Sequence, residues 1–216
     1  MIIGIIGGTG KQGTGIAKRI LYNTDYVVYI GSRDQQKGIS HAKKLEKQFS
    51  GKTIIGGSNH DAVEKADVVI VAVPFDSLEE ILINPFKEKL KEKIVIDCIN
   101  PLKFKKKGVF LFQPDGKSVT EWISEKIDNP KVVAGFKTIS SSLLNSMRTI
   151  KQDCFVASDS ENAKLVVKEM ISSILKTRVI DSGPSFTARY LEAMTALAIN
   201  INIRYNSKDA AFKSTL

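Results

Sequence analysis

Three glycines, a serine, an arginine and a lysine carry the first chemical signal in this chain. Gly8, Gly10 and Gly13 lie in Gly7-Gly8-Thr9-Gly10-Lys11-Gln12-Gly13, a Gly-x-Gly-x-x-Gly spacing. Glycine adopts the backbone angles of a tight strand-to-helix turn. Its missing side chain also lets a pyrophosphate reach the main-chain N–H groups at a helix start. The alternative is a turn that is merely glycine-rich. About twenty residues further on, an NAD site places Asp or Glu on the ribose 2′-hydroxyl. Here Ser32 and Arg33 stand instead, with Lys37 one turn later. A hydroxyl, a guanidinium and an ammonium suit a 2′-phosphate, which Arg grips in a bidentate fork. NADP is therefore expected in preference to NAD. In the competing reading Arg33 and Lys37 belong to a solvated helix start and Asp34 reaches the ribose.

These residues need strand, turn, helix and strand in that order, and the sequence supplies them. Ile2, Ile3, Ile5 and Ile6 form an apolar run suited to a strand buried on both faces. Ile16, Ala17, Ile20 and Leu21 then fall on one helix face, and Tyr26 to Ile30 reads as the second strand. The alternation continues with a polar helix from Gln35 to Phe49, a strand at Thr53 to Ile55, and a helix over 61–66 capped by Asn59. Val68 to Val73 is the most hydrophobic strand; Pro74 stops it and opens a helix from Phe75 to Lys91. Ile94 to Asp97 is a further strand, followed by a long loop to about Lys117, a helix from Val119 to Ile127 and a last strand at Val132 to Phe136.

This pattern predicts an α/β fold with a doubly wound parallel sheet over residues 1–137. In such sheets ligands lie at the carboxyl ends of the strands, which points to residues 7–13, 73–77, 100–101 and 136–139. Residues 138–216 are expected to form a small α/β domain that closes over the nucleotide and mediates dimerisation. There Cys154 to Ala157 and Arg178 to Asp181 read as strands flanking a helix from Glu161 to Leu175. The helix from Phe186 to Tyr205 is apolar almost all round, so burial in its own domain or in a subunit contact is expected.

The 216 residues suffice for a sizeable core. Cys98 and Cys154 stand at no metal spacing, and His41 and His60 are isolated, so no metal site and a reducing cytoplasm are expected. The start reads as a strand and not a secretion signal, and residues 193–203 are too short an apolar run to span a bilayer. A formal charge of +9 favours anionic partners. The lysines are scattered and no aromatic-basic motif appears, so polyanionic cofactors account for the excess and nucleic acid is not expected.

Six segments together resemble the coenzyme F420-dependent NADP oxidoreductases, a mostly archaeal family. They are residues 7–17, Ile-Gly-Ser-Arg-Asp at 30–34, Asn-Pro-Leu at 100–102, Phe-Lys-Thr-Ile-Ser at 136–140, Asp-Ser-Gly-Pro at 181–184 and Ala-Arg-Tyr-Leu-Glu at 188–192. The likeness runs nearly end to end. It implies hydride transfer between F420 and NADP, with the coenzymes holding the reactivity and no catalytic side chain required. By this resemblance Thr9, Ser32, Arg33 and Lys37 surround the 2′-phosphate, and Gly10, Lys11 and Gln12 hold the pyrophosphate. Val73, Pro74, Phe75 and Ser77 lie beside the nicotinamide, Thr138 and Ile139 lie under both rings, and Ala210 makes a C-terminal contact. Asn100 and Pro101 join the site as a strand-end loop. Lys137 departs from the family, whose members carry His or Asn there; a cation at this point would hold a deazaflavin carbonyl or phosphate, or point to solvent. Asp209-Ala210-Ala211-Phe212 is a looser match. The Lys103 to Lys107 run is a solvated loop or an attractor for the acidic deazaflavin tail. The rivals are an NADPH-dependent reductase of a small imine or acid and a non-catalytic NADPH-sensing module. A short-chain reductase is disfavoured, since no Tyr has Lys four positions on.

Replacing Arg33 with Ala is expected to weaken NADP binding by about 2 kcal/mol, the worth of one charged hydrogen-bonded contact. NAD binding should stay unchanged. Calorimetric titration with both nucleotides measures this, and undiminished discrimination would remove Arg33 from the site.

Overall fold

The computed structural model describes residues 1–208 and 210–215. A six-stranded, fully parallel sheet forms its centre, in the order β3-β2-β1-β4-β5-β8. The strands are β1 (Ile2–Ile6), β2 (Val27–Ser32), β3 (Ile54–Ser58), β4 (Val68–Val71), β5 (Ile94–Asp97) and β8 (Val132–Ala134). Strand side chains alternate between two cores, because successive residues of a strand point to opposite faces. Ile3, Ile5, Val68 and Ile70 meet α1 (Lys11–Asn23), α2 (Gln35–Glu46) and α7 (Glu161–Leu175) on one face. Ile6, Val69 and Val71 meet α3 (Asn59–Lys65), α4 (Asn84–Leu90) and α5 (Val119–Ile127) on the other. The strand order reverses between β1 and β4, so the crevice that binds ligands in such sheets opens there.

Residues 139–179 pack against the α1 face and share its core, whereas the helix over 188–204 packs on the helix over 119–127 and the strand over 108–111. Leu144 of α6 (Ser141–Ser146), Val156 of β9 (Cys154–Val156) and Ile171 of α7 join Ile16 and Ile20 of α1 in one apolar cluster. β9 pairs in parallel with β10 (Val179–Asp181), and Ala134 and Ala157 exchange backbone hydrogen bonds that tie the small sheet to β8. Arg19 pins the junction. The residue is 3% exposed, and its guanidinium donates to the carbonyls of Leu144 (3.1 Å), Leu143 (2.9 Å) and Arg148 (2.7 Å).

Several elements differ from the sequence expectation, each for a local reason. Ser58, and not Asn59, caps α3: its hydroxyl accepts from the Asp61 N–H while the Asp61 carboxylate accepts from the Ser58 N–H, a reciprocal capping box. Asn59 turns inward, and its Oδ1 accepts from Gly7 N at 3.4 Å. The expected helix from Phe75 to Lys91 is broken into a 3-10 turn, a π-helical turn at Glu79–Ile83 and α4. Pro85 has no N–H to continue an α-helical ladder, and the Asn84 N–H instead reaches Glu79 O five residues back. The expected loop after Cys98 contains a hairpin, β6 (Leu102–Lys105) and β7 (Gly108–Leu111). Its lysines hid the strand pattern, yet Lys103 lies over the Phe112 ring (4.2 Å) and Lys105 over Phe110 (5.3 Å). Asn200 of α8 (Ala188–Arg204) holds the hairpin, accepting from Val109 N at 2.9 Å and donating to Val109 O at 2.8 Å.

α8 is only partly covered. Ala188, Leu191, Glu192 and Ala196 are buried, while Tyr190, Leu197, Ile201 and Ile203 are exposed. Among the described residues no helix is long and apolar enough to cross a membrane.

Arg19→Met should lower the free energy of unfolding by about 3 kcal/mol, because three carbonyls lose a charged donor at once. Urea denaturation checks this; a loss under about 1 kcal/mol would mean that solvent replaces the guanidinium.

Candidate active site

The turn after β1 is built for close approach. Gly7 has φ +73°, and a Cβ on Gly13 would stand 2.7 Å from Gly7 O and 2.8 Å from Gly8 Cα. Side chains are therefore excluded where α1 begins. Gly10 caps α1 without a side-chain hydrogen bond, and no acidic residue occupies the first turn, so the amides there are available to an anion. Gly8 N donates to Gly31 O at 2.9 Å, which sets the turn beside the end of β2. A recess lined by Thr9, Gly10, Lys11 and Thr14 and closed by Ser141, Ser142 and Asn145 adjoins the turn.

At the end of β2, Ser32 is buried while Arg33 and Lys37 are exposed. Neither basic side chain has a carboxylate partner among the described residues. Asp34 is committed elsewhere: its Oδ1 accepts from Lys37 N at 3.1 Å as the N-cap of α2. Its own N–H donates to Ser32 Oγ at 3.3 Å. The residue that competes for a ribose hydroxyl thus serves the helix.

From Gly10 the surface opens into a cavity of about 1200 Å³. Lys11 and Gln12 line it near the glycine turn, Val73, Pro74 and Phe75 after β4, Asn100 after β5, and Thr138 and Ile139 after β8. Thr195, Ala198 and Ile199 of α8, Leu102 of the hairpin and Ala210 to Lys213 complete it. Gln12 Nε2 donates to Ile139 O (3.4 Å) and Asn145 Nδ2 to Lys11 O (2.9 Å), joining the glycine turn to the loop after β8. Ser77 and Pro101 do not line the cavity: Ser77 N donates to Pro74 O (3.1 Å), and Pro101 O accepts from Phe112 N (2.8 Å). Asp209 lies outside the described residues.

Two buried polar atoms at this cavity have no partner, Asn100 Oδ1 and Thr138 Oγ1. Buried polar groups are ordinarily hydrogen-bonded, so an acceptor and a hydroxyl left unpartnered just beneath the cavity wall fit a ligand that presses in with both a donor and an acceptor, as an amide does. Among the described lining residues there is no carboxylate, whereas Lys11, Lys137, Arg148, Lys151, Lys208 and Lys213 are cationic, the Lys137 ammonium being turned away into the core. The Cys98 thiol donates to Val71 O at 2.8 Å, and burial pushes it far above its ordinary range, so it offers no thiolate.

Lys137 corrects the sequence reading. Its ammonium reaches neither ligand space nor solvent: the side chain is fully buried, 2.7 Å from Asp97 and 3.1 Å from Glu192. The opposing carboxylates at the end of β5 and in α8 draw it inward. Burial disfavours its charge, but Asp97 and Glu192 outweigh that and hold the ammonium above the ordinary lysine value. Sequence reasoning missed these two carboxylates and Thr195, although an Asp ending an apolar strand and a Glu inside an apolar helix were visible signals.

A doubly wound sheet with a glycine-lined phosphate cradle and a large cavity at its switch point defines a dinucleotide-dependent oxidoreductase. Residues 2–101 match the family model described as NADP oxidoreductase, coenzyme F420-dependent. The F420-dependent NADP reductase of Methanocaldococcus jannaschii is 36% identical over 100% of this chain and 98% of its own. That of Methanothermobacter marburgensis is 33% identical over the same shares. A crystal structure from Arthrobacter sp. FB24, assigned to the F420-dependent NADP reductases, superposes with a TM-score of 0.83 at 25% identity, covering 100% of this chain and 99% of that one. The chain belongs to the F420-dependent NADP oxidoreductase family.

Proposed function

We propose that this enzyme transfers a hydride between reduced coenzyme F420 and NADP, and that its cavity holds both coenzymes together. The observation that carries the reading is the size and polarity of that cavity. Its volume of about 1200 Å³ exceeds the roughly 300–1,000 Å³ of a pocket for one small ligand. When bound, the two coenzymes supply the hydride and its acceptor, at deazaflavin C5 and nicotinamide C4.

The chain binds, orients and excludes water. Gly8 and Gly13 keep the turn free of side chains; Gly10, whose own N–H is held by Gly7 O at 2.9 Å, brings the backbone close to the pyrophosphate, and Lys11 and Gln12 offer it main-chain amides. Thr9, Ser32, Arg33 and Lys37 take the 2′-phosphate. Asn100 Oδ1 accepts from the nicotinamide carboxamide and Thr138 Oγ1 donates to it, which satisfies both unpartnered atoms. Val73, Pro74, Phe75 and Ile139 flank the rings, with Ser77 and Pro101 supporting that wall, while Ala210 closes the opposite side beside Ala198 and Ile199. Residues 138–216 cap the nucleotide-binding residues 1–137. No side chain acts as acid or base; alignment of two rings in a dry site supplies the rate. The acidic F420 tail lies toward Arg148, Lys151, Lys208 and Lys213, in preference to the hairpin lysines, two of which sit over aromatic rings.

The exposed apolar face of α8 supports a homodimer. Tyr190, Leu197 and Ile201 lie along one stripe and Leu197 is 52% exposed, a surface that a second copy of the same helix would cover. The free, buried Cys98 and Cys154 suit a reducing cytoplasm.

Following the visible absorption of F420 with NADP or NADPH, in both directions, tests the activity. Turnover is expected, with a KM for F420 that rises with ionic strength as its anionic tail is screened. Tight NADPH binding without F420 turnover would overturn the reading. For the dimer, Leu197→Glu/Ile201→Glu should convert the sedimenting species to a monomer; an unaltered sedimentation coefficient would reject α8 as the contact.

A further inference from the structure

We propose that Lys137 is a positioning residue for hydride transfer: its buried ammonium fixes the main-chain segment that aligns Asn100 and Thr138 at the nicotinamide. This rests on the coenzyme reading of the cavity. Nζ lies 2.7 Å from Asp97 Oδ2 and 3.1 Å from Glu192 Oε1, and it also donates to Ile99 O; all three charged side chains are fully buried. Each carboxylate has a further fixed partner, while Glu192 Oε2 has none. Asp97 accepts from Thr120 Oγ1 at 2.7 Å and from Ile99 N at 2.9 Å, and Glu192 accepts from Val119 N at 2.9 Å. One cation thus gathers the end of β5, the first turn of α5 and the second turn of α8.

At its other end the same residue presents its carbonyl to the site. Lys137 O accepts from Asn100 Nδ2 and from Thr195 Oγ1, each at 2.9 Å. The first of these bonds commits the amide nitrogen of Asn100 and leaves its Oδ1 as the open acceptor. Thr138, the next residue, carries the other open atom. The Lys137 side chain is sealed from the cavity, and two carboxylates keep it charged, so it neither gives nor takes a proton.

Stability alone does not account for the network. Buried ion pairs are often matched by apolar residues of equal volume, so the cluster gains its value from holding one arrangement. Removing only the cation leaves carboxylates without a countercharge in the core. The other titratable group facing the cluster is the Cys98 thiol, which burial keeps protonated.

Lys137→Met, Asp97→Asn and the double variant test this, with two readouts. One is the dissociation constant and emission of bound NADPH, which needs no second substrate. The other is kcat and its deuterium isotope effect, measured with C4-deuterated NADPH and F420. In Lys137→Met, NADPH affinity should stay within about threefold, because the phosphate cradle is untouched, while kcat falls about a hundredfold through misalignment. Bound nicotinamide emission should move toward that of free NADPH, and the isotope effect should rise as hydride transfer becomes the slow step. The double variant should regain about tenfold in kcat, because Asp97→Asn removes one of the two carboxylates stranded by loss of the cation and leaves only Glu192 without a countercharge. Wild-type kcat and emission in Lys137→Met would overturn the proposal. So would parallel losses of affinity and kcat, or a double variant no better than the single. Where Lys137→Met does not fold, the double variant decides: wild-type kcat and emission overturn the proposal, and kcat about tenfold low with NADPH binding kept supports it. Wild-type protein that binds NADPH without turning over F420 would overturn the assigned reaction, and the emission comparison would still decide the role of Lys137. Wild-type protein that binds no NADPH would remove both.

Discussion

An anion can use a backbone amide only where no side chain stands in between, and the molecule is arranged around one such place. Gly7 turns through a positive φ, and Gly13 packs so close to Gly7 and Gly8 that a methyl group would collide. The first turn of α1 is left bare as a consequence. Everything that surrounds the turn keeps it in place. Asn59 reaches it from α3, Gly31 from β2, and Gln12 and Asn145 bind its far side to the loop after β8 and to α6.

From this cradle the remaining chemistry follows the carboxyl edge of the sheet. Parallel strands deliver their ends to one side: Ser32 closes β2 there, and Pro74 after β4, Asn100 after β5 and Thr138 after β8 meet at the cavity. Two of these bring polar atoms that find no partner in the protein. A site of this kind needs no nucleophile, since reactive coenzymes require only alignment and dryness from their host.

The sheet and the glycine turn were legible in the sequence because both rest on local rules. Apolar runs such as Val68 to Val71 leave few alternatives to a buried parallel strand, and the glycine spacing sits between strand and helix as the motif demands. The hairpin after Pro101 was hidden because its alternating lysines resemble a charge run, and only their placement over Phe110 and Phe112 shows why they occur in strands. Asn59 looked like a cap, but Ser58 and Asp61 form the reciprocal pair that wins. Lys137 was misread for a deeper reason. Whether a cation faces solvent, ligand or core depends on carboxylates 40 and 55 positions away, Asp97 and Glu192, whose proximity only the fold creates.

The hairpin near the cavity also had an edge to conceal. Two strands alone are marginal in water, and an outer strand with open N–H and C=O groups invites pairing with a foreign chain. The Asn200 carboxamide meets both groups of Val109 at once, acting as a one-residue third strand drawn from a helix. This prosthetic edge occupies the open groups of β7 at Val109 and leaves the opposite margin of the hairpin, β6, facing the cavity through Leu102.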